Sequence, residues 1–182
     1  MRRLFVAIDI PESIKDYILE FCKREPGLKW TNSSQFHITL RFLGDTEDTL
    51  FDNIKSVLSD IECSSFELTF DRTGFFPNRR RPSVFWLGCA ASDGALALKT
   101  ELDFALNKIG LSLEERVLVP HLTLMRIRKS SNRGIGGKLE ALFSSFSSNA
   151  FVVNKFCLYS SVLDFCGATH KKEAEYNLFE KK

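Results

Sequence analysis

One short pattern occurs twice in this chain and constrains its fold more than any other feature. The first copy is FHITLRFLG at residues 36–44, and the second is PHLTLMR at residues 120–126. In an extended strand, successive side chains alternate between the two faces. Each copy therefore predicts a β-strand with one apolar face for a core and one face that presents a histidine beside a threonine.

The polar face of each copy supplies the candidate catalytic groups. His37 and Thr39 share this face in the first copy, and His121 and Thr123 share it in the second. Two imidazoles suit hydrolysis of a cyclic phosphodiester, because one takes a proton from water while the other gives a proton to the departing oxygen. The two threonine hydroxyls can donate hydrogen bonds to the non-bridging phosphate oxygens. A single strand histidine would instead be interpreted as structural, but a duplicated pair favours catalysis.

The segments before the two copies share the same order. An apolar run at residues 4–10 predicts a buried strand, and the helix after it ends before Pro26. A second buried strand at residues 84–89 is followed by a helix that ends at Gly110. The repeated strand, helix and histidine strand indicate an internal duplication. We expect an α+β fold with two similar lobes, antiparallel-rich sheets around a central cleft and helices outside, in a single domain over residues 1–182.

Turn and cap residues predict several further boundaries. Asp45 or Thr46 is expected to cap the helix that begins before Leu50. Residues 74–82 are predicted as a loop from their glycine, proline and asparagine content. The helix of the second unit is expected to turn Leu96 toward the core.

Two arginines come after the histidines and are included as candidate substrate-binding residues. Arg41 lies four residues after His37, so alternation places it on the same face, at the edge of the cleft; a surface position is an equal alternative. Arg126 lies five residues after His121. Strict alternation turns Arg126 away from the site, so a phosphate contact there requires a bulge or a strand end.

Other residues offer weaker signals for RNA binding. The three arginines at residues 79–81 can steer an RNA strand, although a solvated basic turn is the more common outcome. Trp30, Phe42 and Phe76 are candidates for stacking on a nucleobase, with core packing preferred for Phe42. His170 lies in a lysine-rich segment that is predicted as a loop, and we assign it no role.

Composition limits the partners. The net charge of +2 over 182 residues argues against a protein that coats long nucleic acid but permits one that grips a single phosphorylated end. Two cleft histidines without a third convincing ligand do not make a metal site. The first apolar run is too short for a signal peptide and no later run approaches a membrane span. We therefore expect a soluble cytoplasmic monomer without a membrane partner.

The cysteines are expected to be reduced. They are odd in number, widely spaced and contain no Cys-x-x-Cys pair. We predict that they are core thiols: Cys22, Cys63, Cys89, Cys157 and Cys166.

The two histidine strands and their surroundings resemble the 2H phosphoesterase superfamily. Within it, RLFVAIDIP at residues 3–11 and GFFP at residues 74–77, leading to Trp86, resemble the RNA 2′,3′-cyclic phosphodiesterase family, once described as 2′-5′ RNA ligases. The motif similarity runs from about residue 3 to residue 126. Met125 stands where small residues are common in the family.

The resemblance implies an activity and roles for the histidines. The activity is hydrolysis of a 2′,3′-cyclic phosphate at an RNA end, including the ends of tRNA fragments, to a 2′-phosphomonoester, without a metal or other cofactor. His37 is assigned as the proton donor and His121 as the proton acceptor. Two alternatives stay open: the same chemistry on a small cyclic nucleotide phosphate, and a module that binds RNA ends without turnover.

Overall fold

The structure, a computed structural model, describes residues 1–25, 27–90, 92–114, 116–127, 134–164 and 167–180. Its strands are β1 (Arg2–Asp9), β2 (His37–Thr46), β3 (Phe66–Leu68), β4 (Arg72–Phe76), β5 (Val84–Gly88), β6 (His121–Arg126), β7 (Phe151–Val153), β8 (Lys155–Asp164) and β9 (Gly167–Asn177). Its helices are α1 (Glu12–Lys23), α2 (Asp48–Ser59), α3 (Asp93–Lys108) and α4 (Ile135–Leu142), and a short 3-10 helix, Ser33–Gln35, precedes β2.

Seven of these strands form one antiparallel sheet in the order β4-β5-β6-β2-β1-β8-β9, while β3 and β7 form a small second sheet. The expected α+β class with antiparallel sheets is confirmed. The two predicted units occupy the two halves of the large sheet, since β1 pairs with β2 and β5 pairs with β6. The two histidine strands are direct neighbours at the centre, where Ile38 pairs with Leu122.

One face of the sheet carries the apolar core. Alternation sends Leu4, Val6 and Ile8 of β1 to this face, where all three are buried. The facing side chains come from α1 and α3, at helical spacing: Ile14, Ile18, Phe21, Leu98, Leu102 and Leu106. Each such side chain contributes roughly 1.5–3 kcal/mol on burial. The helices therefore cover the core face, and the polar groups of the histidine strands lie on the other face.

Three local predictions from the sequence were wrong. Thr46 belongs to β2, and α2 begins at Asp48 after Glu47, whose side chain makes no capping hydrogen bond. The first three residues of the predicted 74–82 loop belong to β4. Leu96 of α3 is 37% exposed, because the buried stripe of that helix runs through Leu98 instead.

Gly74 explains why the loop prediction failed at residues 74–76. A Cβ atom at this position would lie 2.0 Å from the indole ring of Trp86, so the glycine is there for a close approach between side chain and backbone rather than for a turn. The Trp86 ring lies against β4 and contacts the ring of Phe76, with centroids 5.3 Å apart. Phe76 and Trp86 therefore form an aromatic pair on β4 and β5.

The cysteines are free thiols wherever the structure describes them. Cys22, Cys89 and Cys157 are buried, and burial raises the pKa of each thiol to about 12. Cys63 is half-buried and packs against the margin of the core. Cys166 lies outside the described residues.

No helix in the described part of the chain is long and apolar enough to cross a membrane.

Candidate active site

The two histidines are held by the same backbone device. Nδ1 of His37 lies 2.7 Å from the carbonyl oxygen of Gln35, and Nδ1 of His121 lies 2.7 Å from the carbonyl oxygen of Val119. A carbonyl can only accept a hydrogen bond, so Nδ1 carries the proton in each ring. The other nitrogen, Nε2, has no hydrogen-bond partner among the described residues in either imidazole, which leaves it available to a ligand.

The register of β2 and β6 brings the two His-x-Thr groups together. Because Ile38 pairs with Leu122 in an antiparallel ladder, His37 lies beside Thr123 and Thr39 lies beside His121 on the face opposite the core. Both threonines and both histidines are half-buried. Two imidazoles and two hydroxyls thus surround one small area on the seam between the halves of the sheet.

Burial shifts the acid-base properties of both imidazoles. Loss of solvent lowers the pKa of His37 to about 4, although the hydrogen bond to Gln35 acts in the opposite direction; the charge of a protonated His170 or His121 lowers it further. Burial also lowers the pKa of His121, again against its backbone hydrogen bond, and the positive charge of Arg126 adds to the decrease. Both rings are therefore neutral at pH 7 without a ligand.

A β-bulge decides where Arg126 lies. In the pairing of β5 with β6, Phe85 faces Met125 and Trp86 faces Thr123, so Leu124 is an extra residue in β6. As a result Leu124 and Met125 are both buried, and Arg126 is exposed. The bulge turns Arg126 back to the face of His121, where its charge acts on that ring. Arg126 has no hydrogen-bond or ion-pair partner within the described ranges, so its guanidinium is available to an anion.

A bulge of the same kind in β2 makes the predicted position of Arg41 wrong. Val6 of β1 faces Arg41, and Ala7 faces Thr39, so Leu40 is the extra residue. Arg41 therefore points to the core side, where its side chain is only 5% exposed. It does not lie at the edge of the cleft, where the contact with substrate was predicted.

On the core side, Arg41 belongs to a neutral group of four charges. Its Nη1 lies 3.3 Å from Asp103 and 3.4 Å from Glu114, and the guanidinium also donates to the carbonyl of Ser112. Lys99 pairs with the same two carboxylates. These contacts join β2 to α3 and to the segment after it.

Phe42 takes the place on the site face that was predicted for Arg41. Its side chain is 66% exposed, so the preferred core position was wrong. The ring lies 6.2 Å from Phe5, which in turn lies 5.1 Å from His37. Phe42 is therefore an exposed aromatic at one end of the site.

The other aromatic candidates divide between site and core. Phe76 packs edge-on against His121, with centroids 4.8 Å apart, and Trp86 lies 6.0 Å from the same ring. Trp30 packs against Phe143 and donates from Nε1 to the carbonyl of Glu25. Phe76 thus remains a candidate for contact with a base, whereas Trp30 has a structural role.

His170, which was assigned no role from the sequence, lies against His37. It belongs to β9, three places from β2 in the sheet, a separation of about 14 Å at normal strand spacing. Yet its ring is 5.4 Å from His37 and 5.0 Å from Phe5, and the amide of Gln35 donates to the carbonyl of Ala168. The β8–β9 hairpin therefore curls over the sheet and covers the outer side of His37. The predicted loop around His170 is a strand.

A charged cluster continues from His37 toward this hairpin. Asp9 accepts hydrogen bonds from Tyr159 and from Lys172, the latter at 2.7 Å, and Lys172 also pairs with Glu175 at 3.0 Å. Burial favours a higher pKa for Asp9, but these bonds outweigh it and lower the pKa. Asp9, Cys157 and Glu175 lie close enough together to hold a metal ion. The ammonium of Lys172 already supplies the positive charge there, so these donors do not fit a metal.

The three consecutive arginines lie beyond the site. Arg79 pairs with Glu140 at 2.8 Å. Arg80 and Arg81 are exposed and, as far as the structure describes the chain, have side chains without partners. The solvated basic turn is the interpretation that this arrangement favours.

Comparison of the sequence with known proteins identifies its relatives. A family model described as LigT like Phosphoesterase matches residues 8–86. An RNA 2′,3′-cyclic phosphodiesterase of Thermotoga maritima is 32% identical over 177 residues, which cover 93% of this chain and 91% of the relative. A protein of the same name from Aquifex aeolicus is 31% identical over 185 residues, with 97% of each chain covered.

Solved structures agree in fold. LigT of Escherichia coli in complex with 3′-AMP has a TM-score of 0.78 at 23% identity, over 97% of this chain and 98% of that chain. TT0787 of Thermus thermophilus has a TM-score of 0.79 at 22% identity, over 99% and 100%. At this identity the likeness is one of fold, while the sequence relatives carry the family. The chain belongs to the RNA 2′,3′-cyclic phosphodiesterase family of the 2H phosphoesterases and is a phosphodiesterase.

Proposed function

We propose that the protein hydrolyses the 2′,3′-cyclic phosphate at RNA ends, such as those of tRNA fragments, to a 2′-phosphomonoester, and that it needs no metal. The observation that carries this proposal is the pair of imidazoles on adjacent strands, each with Nδ1 fixed by a backbone carbonyl and with Nε2 unpaired as far as the chain is described. A threonine hydroxyl lies next to each ring through the register of β2 and β6. The names of the relatives support the substrate class.

Each group then has one task. His121 takes a proton from the attacking water, the bond from phosphorus to the 3′ oxygen breaks, and His37 gives its proton to that oxygen. Thr39 and Thr123 donate to the non-bridging oxygens as phosphorus becomes five-coordinate. Arg126, held on this face by its bulge, balances the charge of the phosphate. The product leaves with His37 neutral and His121 protonated, and exchange with water restores both.

The low pKa of His37 fits this scheme when the substrate charge is considered. Burial keeps His37 neutral in the free protein. A phosphate anion beside the ring favours the protonated form and so raises its pKa. The proton donor is therefore charged when substrate is present, and the free protein avoids a buried unpaired charge.

The decisive experiment uses an oligonucleotide that ends in a 2′,3′-cyclic phosphate. We expect a product with a 2′-phosphate and a free 3′ hydroxyl, identified by mass spectrometry and by nuclease mapping. A 3′-phosphate product would show that the 2′ bond is the one broken. Binding without turnover would instead identify a module that recognises RNA ends.

Two further arms separate the remaining alternatives. A small nucleoside 2′,3′-cyclic phosphate is compared with oligonucleotides of increasing length; equal efficiency at every length would point to the small molecule as substrate. A chelator is added to the RNA assay, and we expect unchanged rates. Loss of activity that zinc restores would overturn the metal-independent mechanism.

A further inference from the structure

The ring of His170 packs against His37 from the covering β8–β9 hairpin. The two rings are nearly perpendicular, at 88°, with centroids 5.4 Å apart. His170 also lies edge-on to Phe5, at 75° and 5.0 Å, and Phe5 in turn lies 5.1 Å from His37. The imidazole of His37 is therefore in contact with one aromatic ring from β1 and one from β9.

Hydrogen bonding at Nδ1 does not account for the position of His170. This atom is shielded from solvent and has no partner among the residues that the structure describes. A buried polar atom without a partner carries an energetic cost, so the position of the ring needs another explanation. The contacts of the ring with Phe5 and His37 supply one.

Gln35 links the hairpin to His37 a second time. Its carbonyl oxygen accepts the hydrogen bond from Nδ1 of His37 at 2.7 Å. Its side-chain amide donates to the carbonyl of Ala168, two residues before His170. One residue thus holds both the histidine of the site and the strand that carries the covering ring.

The second histidine of the site has an equivalent neighbour. Phe76 packs edge-on against His121, at 83° with centroids 4.8 Å apart. Each of the two imidazoles thus combines a backbone carbonyl at Nδ1 with a perpendicular ring. A phenylalanine serves at His121 and a histidine at His37, which indicates that the shared requirement is an aromatic ring.

We propose that His170 is a positioning residue for the proton donor: its ring holds the imidazole of His37 in the orientation that directs Nε2 at the leaving oxygen. The inference rests on the proposed function, which assigns proton donation to His37. A single hydrogen bond at Nδ1 lets the imidazole tilt, because the last side-chain torsion of histidine is broad, and packing at its sides removes this freedom. A reacting group about 1 Å out of place can cost roughly a hundredfold in rate.

Charge does not oppose this role near neutral pH. Burial lowers the pKa of His170, so its ring is neutral at pH 7. When substrate is bound, the protonated imidazole of His37 therefore meets a neutral neighbour.

The test compares RNA that ends in a cyclic phosphate with a phosphodiester that has a phenolic leaving group, which departs without protonation. His170→Ala removes the ring and should lower kcat on RNA by roughly 10–100-fold, with KM nearly unchanged. The loss on the phenolic substrate should be far smaller, because the oriented proton is not needed there. Equal losses on the two substrates, or no loss on RNA, would overturn the inference.

Two further variants separate the ring from the rest of the hairpin. His170→Phe keeps an aromatic ring, as Phe76 provides at His121, and should recover most of the RNA rate. Gln35→Met keeps the backbone carbonyl but removes the amide bond to Ala168, so it should show the same selective loss in weaker form. A His170→Phe protein as slow on RNA as His170→Ala would contradict the role of the ring.

The matched control is Thr169→Ala. Thr169 is exposed and precedes His170 on β9, so strand alternation turns it to the other face. Its kinetics should equal those of the wild type. A loss as large as that of His170→Ala would show that the strand, rather than the ring, is required.

A measurement without turnover separates this inference from the proposed function. Long-range proton–nitrogen NMR spectra of the imidazoles report the tautomer of His37. We expect one form protonated at Nδ1 in the wild type and in His170→Phe, and a mixture of tautomers in His170→Ala. Unchanged His37 signals in a folded His170→Ala protein would overturn the inference. If the wild type does not hydrolyse the RNA end but the expected change in the spectra occurs, the proposed function alone fails.

Discussion

The two histidine strands share one backbone plan and differ in the residues at their far ends, beyond the threonine. In both, a bulged leucine places two successive side chains on the core face, and the next side chain returns to the site. In β2 the second core-facing residue is Arg41 and the residue that returns to the site is Phe42. In β6 the corresponding residues are Met125 and Arg126. One strand therefore buries its arginine, and the other exposes its arginine to the site.

As a result, the arginine of β6 contributes positive charge at the site, whereas the arginine of β2 forms ion pairs in the core. On the β6 side, Met125 fills the core. Arg126 faces the site, and its guanidinium has no partner among the described residues. On the β2 side, the guanidinium forms ion pairs inside with Asp103 and Glu114, and Phe42 adds an aromatic ring to the site face. The two arginines differ by one position counted from the histidine, four residues after His37 and five after His121, and this difference places one in the core and the other on the site face.

The largest effect on turnover should come from replacing each histidine by alanine. His37→Ala is expected to cost roughly 10²–10⁴ in turnover number on RNA but far less on a phosphodiester with a phenolic leaving group, which departs without protonation. His121→Ala should stay slow on both substrates. Circular dichroism checks that both variants are folded. Selective rescue of His121→Ala would reverse the two roles.

Arg41→Met gives β2 the core residue of β6 and tests whether Arg41 is structural. Removing the guanidinium leaves two carboxylates with only Lys99, and breaking a buried pair of this kind costs about 3 kcal/mol of unfolding free energy. Urea denaturation measures the loss. Turnover by the folded fraction should be unchanged, since Arg41 faces the core.

Arg81→Met is the matched control, because Arg81 is exposed; its stability should stay within about 0.5 kcal/mol of wild type. A folded Arg41→Met protein without activity would contradict the structural assignment of Arg41.

Arg126→Phe gives β6 the site residue of β2. The phosphate loses one charge-assisted hydrogen bond, worth about 1.5–3 kcal/mol, so kcat/KM should fall about 10–100-fold. Arg80→Phe, at an exposed arginine outside the site, should retain wild-type kinetics. Full activity of Arg126→Phe would show that the bulge orients this side chain without a role in binding.

The smallest effect distinguishes the histidines by the pH dependence of stability. Folding keeps His37 neutral down to about pH 4, whereas the unfolded chain binds this proton below about 6.5. The unfolded state therefore binds more protons, and stability falls as pH decreases from about 6.5 to 4. His37→Gln should remove about 1–2 kcal/mol of this loss in urea titrations, and His121→Gln should remove less. Identical slopes for both variants would contradict the larger decrease in the pKa of His37.

The sequence predicted the histidine face because a strand period of two is a strong signal over short distances. The bulges at Leu40 and Leu124 were not readable, since neither is marked by glycine or proline and each inserts only one residue. The bulge in β6 that a phosphate contact by Arg126 requires is present. The corresponding bulge in β2 turns Arg41 away from the site. A single inserted residue reverses the face of every side chain after it.

His170 was missed for a different physical reason. Its proximity to His37 depends on the curl of the β8–β9 hairpin, which brings together residues 133 positions apart in the chain. Local patterns carry no information on such a contact. The signal available in the sequence was only the third histidine itself, next to a pair of lysines.

The seam between β2 and β6 has a mechanical consequence. The two strands are joined at the Ile38–Leu122 pair, whereas β1 and β2 pair along their whole length. The distance between the imidazoles therefore depends on how rigidly the two halves of the sheet are held together. The fully buried side chains of Ile38 and Leu122 pack beneath the site and provide this rigidity. Under the proposed function, a phosphate held by both Thr39 and Thr123 would link the two strands across this joint, so substrate binding would itself add rigidity to the site.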